Sequence, residues 1–93
     1  LSANVTSVTL SNFVASTTVS STTQEQADKV TVYFKQDVTG GWGVTMPAGA
    51  TYKYGNSVNT ITLTANSVTQ VDITAIRFSG TTNYLINILP GYV

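Results

Sequence analysis

The feature that most constrains the fold of this sequence is a run of alternating side chains from Val30 to Pro47, VTVYFKQDVTGGWGVTMP. Val30, Val32 and Phe34 share one parity and Thr31, Tyr33 and Lys35 the other, the period-two pattern of a strand with one buried face. Trp42, Val44 and Met46 repeat the pattern against Gly43 and Thr45, and Pro47 ends it because proline cannot donate to a ladder. Between the halves, Asp37-Val38-Thr39-Gly40-Gly41 supplies turn residues, with Asp37 placed to accept backbone N–H groups and Gly40 and Gly41 completing the turn. The run predicts a β-hairpin with Phe34 and Trp42 in the core.

The rest of the chain carries the same signal in shorter pieces. Two weak strand patterns lie in residues 1–23, one alternating Thr6, Val8 and Leu10 against Val5, Ser7 and Thr9, the other from Phe13 through a Ser/Thr tract around Val19. Thr22 followed by Glu25 resembles a capping box, but no apolar stripe follows, so Thr22 to Asp28 is read as a polar loop. Ala48-Gly49-Ala50 predicts a turn, Thr51 to Tyr54 a short strand with Tyr52 and Tyr54 on one face, and Gly55-Asn56-Ser57 its end. Val58 with Ile61 and Leu63, set between Thr60, Thr62 and Thr64, predicts another strand. Val71 to Phe78 and Tyr84 to Leu89 read as a closing pair, joined through Ser79 to Asn83. The parity switch from Val71, Ile73 and Ala75 to Ile76 and Phe78 suggests a bulge near Ala75. About eight short strands with no crossover helices predict an all-β fold, an antiparallel β-sandwich of jelly-roll type, in a single domain spanning residues 1–93.

Composition narrows the function. Hydrophobic residues make up an ordinary 42%, whereas charged residues make up only 9%, far below the roughly 25% usual for soluble domains. The only bases are Lys29, Lys35, Lys53 and Arg77, and the formal net charge is zero. That balance argues against nucleic acid as a partner, and no spanning apolar run suggests membrane insertion. With no His and no Cys, the usual general base, thiolate nucleophile and soft-metal ligands are missing, so no catalytic residue, metal site or cofactor is expected. A Thr-rich, charge-poor β domain without cysteine fits an extracellular or particle-surface protein better than a cytosolic enzyme. The chain begins at Leu1 rather than Met, which reads as a processed or excised piece.

Single residues divide between bland and functional readings. Asp37 lacks the D-x-D-x-D spacing of a calcium loop, which favours a turn role. Asp72 sits on a polar strand face within reach of a cross-strand pair with Arg77 or Lys35, a pair worth under about 1 kcal/mol if exposed. Glu25, Asp28, Asp37 and Asp72 read as solvated or turn carboxylates rather than a glycosidase pair. Asn4-Val5-Thr6 is a glycosylation sequon of the kind chance produces in so Thr-rich a chain. Trp42 shares parity with Val44 and Met46 and reads as core, whereas Tyr33, Tyr52 and Tyr54 are the candidate ligand or receptor surface, aromatic rings suited to stacking on sugars.

An ordered set of motifs carries a resemblance. Lys35-Gln36-Asp37 followed by Thr39-Gly40-Gly41, then Val44-Thr45-Met46-Pro47, then Gln70-Val71-Asp72-Ile73, Phe78 and Ser79-Gly80-Thr81-Thr82-Asn83-Tyr84 resemble a module of tailed-bacteriophage virion proteins over roughly residues 29–88. In that module a Q-D-x-T-G-G hairpin leads to a V-T-W-P strand end, and a V-D-hydrophobic strand leads to a D/S-G-T-x-Y hairpin. This chain has Met46 where the module often has Trp, and Tyr52-Lys53-Tyr54-Gly55 in place of a Lys-Trp-Gly-Gly turn. The resemblance implies a non-enzymatic structural module at the virion surface, in a tail fibre, baseplate or capsid-surface protein, serving assembly and host attachment. Its expected partners are copies of itself, a trimer being the natural symmetric form, other virion proteins, and a host-surface glycan. Two other classes stay open: a carbohydrate-binding module, and an extracellular filament subunit in which residues 1–12 are donated as a strand to the next copy.

Overall fold

The computed structural model describes residues 1–10, 27–78 and 81–92. Among the described residues the strands are β1 (Ala27–Lys35), β2 (Tyr52–Tyr54), β3 (Val68–Phe78) and β4 (Thr81–Tyr92), with one 3-10 turn at Gly55–Ser57. They form one four-stranded sheet in the order β1-β3-β4-β2. β1 runs antiparallel to β3 and β3 antiparallel to β4, whereas β2 runs parallel to β4. The all-β expectation holds. The sandwich of about eight strands does not appear among the described residues, which contain this one mixed sheet and no second sheet facing it.

The β3–β4 hairpin lies where alternation at Val71 to Phe78 and Tyr84 to Leu89 predicts it, extended at both far ends. The expected bulge near Ala75 is absent: Thr74, Ala75 and Ile76 pair in unbroken register with Leu85, Tyr84 and Asn83. The irregularity lies instead between Val68 and Gln70, near the open end of the hairpin.

The opening hairpin needs the larger correction. β1 forms as expected, but it pairs with β3, Val32 opposite Val71 and Thr31 opposite Asp72, and residues 42–47 form no strand with it. Those residues fold back as a loop, touching the N-terminal segment through a single parallel bridge from Val5 to Val44. Val5 N donates to the Gly43 carbonyl (2.9 Å) and Thr45 N to the Val5 carbonyl (2.8 Å). Residues 5–10 therefore make this one bridge rather than a strand, and the second N-terminal strand pattern and most of the Thr22 to Asp28 loop lie outside the described residues. Asp28 itself lies within β1. The alternation at residues 58–64 likewise yields no strand: the Thr62 N–H is taken by the Thr69 hydroxyl (3.0 Å) and the Thr62 carbonyl by the Gln36 amide (3.1 Å).

Alternation still decides which face is buried. Val71, Ile73, Ile86 and Ile88 form the core cluster, and Val32, Phe34, Met46, Leu10, Tyr52, Tyr54 and Tyr84 pack against it. Leu10 and Met46 bring the N-terminal segment and the 42–47 loop onto that cluster, whereas Val44 and Ile61, both buried, lie outside it. Trp42 is half-buried and lies outside that cluster, in the turn beside Asp37. The opposite face of the sheet bears Lys29, Thr31 and Tyr33 on β1, Gln70, Asp72 and Thr74 on β3, and Leu85 and Asn87 on β4. Among these outer-face residues Lys29, Thr31, Tyr33, Leu85 and Asn87 are exposed, and Gln70, Asp72 and Thr74 are half-buried.

Candidate functional site

The outer face gathers its side chains in rows that cross the sheet. Lys29 pairs with Thr74, Thr74 with Leu85, and Leu85 with Lys53, so one row spans all four strands with a lysine at each end. Neighbouring strands stand about 4.8 Å apart, which puts the two lysine Cα atoms about 14 Å from each other. In the next row Thr31 faces Asp72 and Asp72 faces Asn87. These residues other than Thr31, with Tyr54, Gly55 and Ile86, line a cleft of about 390 Å³. That volume lies near the lower end of the range of small-molecule sites, about 300–1,000 Å³.

Gly55 shapes one wall. A Cβ there would meet Asn87 Oδ1 at 3.1 Å, closer than ordinary contact, so the bare backbone leaves room for the Asn87 amide over the turn after β2. Opposite, Asp72 Oδ1 accepts from the Thr31 hydroxyl (2.8 Å) and the Gln70 amide (3.2 Å), and Lys29 Nζ stands 3.7 Å from Oδ2. The Thr31 hydroxyl first, then Gln70 and Lys29, hold the Asp72 carboxyl below its ordinary value, which favours the ionised form. The cation beside Asp72 is thus Lys29; Arg77 and Lys35, the partners expected from sequence, sit opposite Thr82 and Val68 in other rows. Lys53 makes no ion pair among the described residues.

The three tyrosines singled out by sequence do not converge. Tyr33 is 63% exposed on the outer face, in the row of Gln70 and Leu89. Tyr52 and Tyr54 belong to the core side: Tyr52 stacks on Tyr84 with ring centroids 5.3 Å apart, and the Tyr54 hydroxyl donates to the Pro47 carbonyl. Burial pushes the Tyr54 hydroxyl pKa up, with Tyr52 adding to the effect. Both residues are half-buried and pack against the core cluster.

Asp37 sits in a separate, structural cluster. Its Oδ1 accepts from Thr39 N (2.9 Å), Gly40 N (3.0 Å) and the Trp42 indole N–H (3.0 Å). The Gly40 N–H, then the Trp42 indole, hold the Asp37 carboxyl below its ordinary value. Gly40 has φ +70°, and a Cβ on it would lie 2.7 Å from the Ala65 backbone nitrogen, so both conformation and space demand glycine. Gly41 takes φ +83° and donates its N–H to the Leu63 carbonyl at 2.7 Å.

Sequence reasoning passed over Lys29, Lys53, Leu85 and Asn87. Their signal was parity: Lys29 shares the face of Thr31 and Tyr33, and Lys53 stands on the opposite side of β2 from Tyr52 and Tyr54. Only the pairing of distant strands brings them together. The described residues hold no group of three or more His, Cys, Asp or Glu placed to bind a metal ion, and no helix among them is long and apolar enough to cross a membrane.

Residues 1–83 match the family described as "Putative phage tail fibre C-terminal domain". No curated protein and no solved structure matches the chain.

Proposed function

From a chain that belongs to the phage tail fibre C-terminal domain family, we propose a non-enzymatic structural module that assembles as a homo-oligomer within the fibre and presents its outer sheet face to the host surface. The observation that carries the attachment reading is the exposure of that face at Lys29, Thr31, Tyr33, Leu85 and Asn87. Exposed sheet positions are open to contacts outside the molecule, and here they border a cleft lined by charged and amide groups. Purified chain added in excess to host cells should lower adsorption of the phage that carries it several-fold. Unchanged adsorption would overturn the attachment reading.

Assembly rests on separate features. Val38, Leu63 and Tyr92 are 81%, 50% and 54% exposed, and zero net charge removes the repulsion that keeps monomers apart. A trimer is the symmetric form that fits a fibre, with other virion proteins joined beyond it. Light scattering at micromolar concentration should return the mass of three chains, and a monomer would overturn this part. What weighs against the filament alternative, with residues 1–12 as the donated strand, is that Asn4 and Val5 are bonded to Gly43 and Thr45 of this same chain.

A further inference from the structure

The geometry points to the cleft between Lys29 and Lys53 as a binding site for one acidic sugar unit, a pyranose bearing a single carboxylate of the uronic acid kind. The inference deepens the attachment reading above and rests on it. Only four basic residues occur in the whole chain, and two of them line this one cleft, reached from strands at opposite ends of the sheet order. Such placement in so charge-poor a chain selects for a negative ligand.

The charge of the ligand follows from the lining. Two ammonium groups and the Asp72 carboxylate leave one net positive charge. A carboxylate neutralises it. A phosphate monoester, carrying about −1.5 to −2 at neutral pH, would leave excess negative charge beside Asp72. Lys29 can turn to a ligand at little cost, because its pair with Asp72 spans 3.7 Å and its side chain is 60% exposed, and exposed pairs of this kind contribute under about 1 kcal/mol.

The rest of the lining calls for hydroxyls. Asp72 only accepts hydrogen bonds, so a ligand beside it must bring donors as well as its own anion. The Asn87 amide and the Thr74 hydroxyl offer both donor and acceptor capacity. Leu85, 42% exposed and central in the lysine row, gives the floor one apolar surface against which the C–H face of a sugar ring can lie. A pyranose carboxylate combines all three requirements.

The test is an NMR titration of the isotope-labelled 93-residue chain with glucuronate, glucose and glucose 6-phosphate at low ionic strength. Glucuronate should give saturable shifts centred on the amides of Lys53, Thr74, Leu85 and Asn87, with affinity about tenfold above that of either other sugar and falling as salt is added. Lys53→Met should weaken glucuronate about tenfold, and so should Asn87→Asp, which places a second carboxylate in the cleft at nearly constant shape. Lys35→Met, in another row, should leave it unchanged, and the spectra themselves report whether each variant is folded. Absence of saturable shifts, shifts centred elsewhere, glucose or the phosphate binding as tightly as glucuronate, or a folded Lys53→Met binding at full strength would each overturn the assignment. If that happens while purified chain still blocks phage adsorption, the ligand class is wrong and the attachment reading stands. Loss of adsorption competition alone overturns the attachment reading.

Discussion

Gln36 and Trp42 hold each other through both ends of one amide. Gln36 Oε1 accepts from Trp42 N at 3.1 Å while Gln36 Nε2 donates to the Trp42 carbonyl at 2.6 Å, and the same Nε2 donates to the Thr62 carbonyl at 3.1 Å. The side chain does for the loop what a neighbouring strand would do in a ladder, and it does so at 1% exposure.

Removing that amide should therefore damage the fold out of proportion to its size. Gln36→Ala leaves a donor and two acceptors without partners in a water-poor site, for an expected loss of about 2 to 4 kcal/mol. Gln36→Glu keeps the shape but cannot donate to either carbonyl, and should be similarly destabilising near neutral pH. Urea unfolding measures both; a loss below about 0.5 kcal/mol for Gln36→Ala would show the loop to be held by other contacts.

The register of the sheet makes opposite demands on neighbouring parities. Ile86, 1% exposed, should cost about 3 kcal/mol as Ile86→Ala, because a cavity opens among Val71, Ile73 and Ile88. Tyr33, 63% exposed, should change stability by no more than about 0.5 kcal/mol as Tyr33→Ser. The reverse ranking would mean that the two faces of the sheet are exchanged.

Stability should fall in acid along a path set by Asp37 and Asp72. Both carboxyls titrate below their ordinary values in the folded chain, Asp37 chiefly through the Gly40 N–H and Asp72 chiefly through the Thr31 hydroxyl. The unfolded chain therefore takes up protons first as pH drops. Their stabilisation is complete above the ordinary Asp range near pH 4 and is lost as pH falls through the lower folded values. Melting temperature followed from pH 6 downward should decline through that window, and the decline should be shallower in Asp37→Asn combined with Asp72→Asn. An unchanged slope in the double variant would assign the acid response to other groups.

Chelation should leave the chain untouched. The described residues offer no cluster of metal-ligating side chains, and Asp37 already spends its Oδ1 on three N–H donors. The melting temperature in excess EDTA should equal that in buffer; a drop restored by calcium would return Asp37 to the role of ligand.

Local alternation was enough to locate β1, β2, β3 and β4 and to separate the faces of β1, β2 and β4, because a period of two is a property of each strand alone; in β3 it misplaced Ile76, which the unbroken register puts on the face opposite Ala75. It was misleading where a buried residue does not imply a ladder. Val44 and Ile61 are as buried as strand residues, yet the amide of Gln36 and the hydroxyl of Thr69 occupy the backbone groups a second strand would use. Pairing partners were equally illegible: nothing near Thr31 says that its neighbour is Asp72, or that Tyr52 lies parallel to Tyr84. The cleft inherits that blindness, since Lys29 and Lys53 become neighbours only across β3 and β4. The Asp37 turn was easier to read because it is built from contiguous residues.

The strand order β1-β3-β4-β2 also fixes a timetable. Phe78 and Thr81 face each other across the shortest possible connection, so β3 and β4 can zip together from that end on the timescale of hairpin formation, microseconds. β1 has no such advantage, because even its nearest rung, Lys35 with Val68, closes a long stretch of chain and has nothing to bind until β3 is in place. The hairpin is thus the template, and β1 the strand recruited to it. Pulse-labelled hydrogen exchange during refolding should protect the amides shared by β3 and β4 before those shared by β1 and β3. A newly made chain would expose the β1-facing edge of β3 throughout that interval, which makes the vulnerable moment of this protein's life the one before β1 comes home.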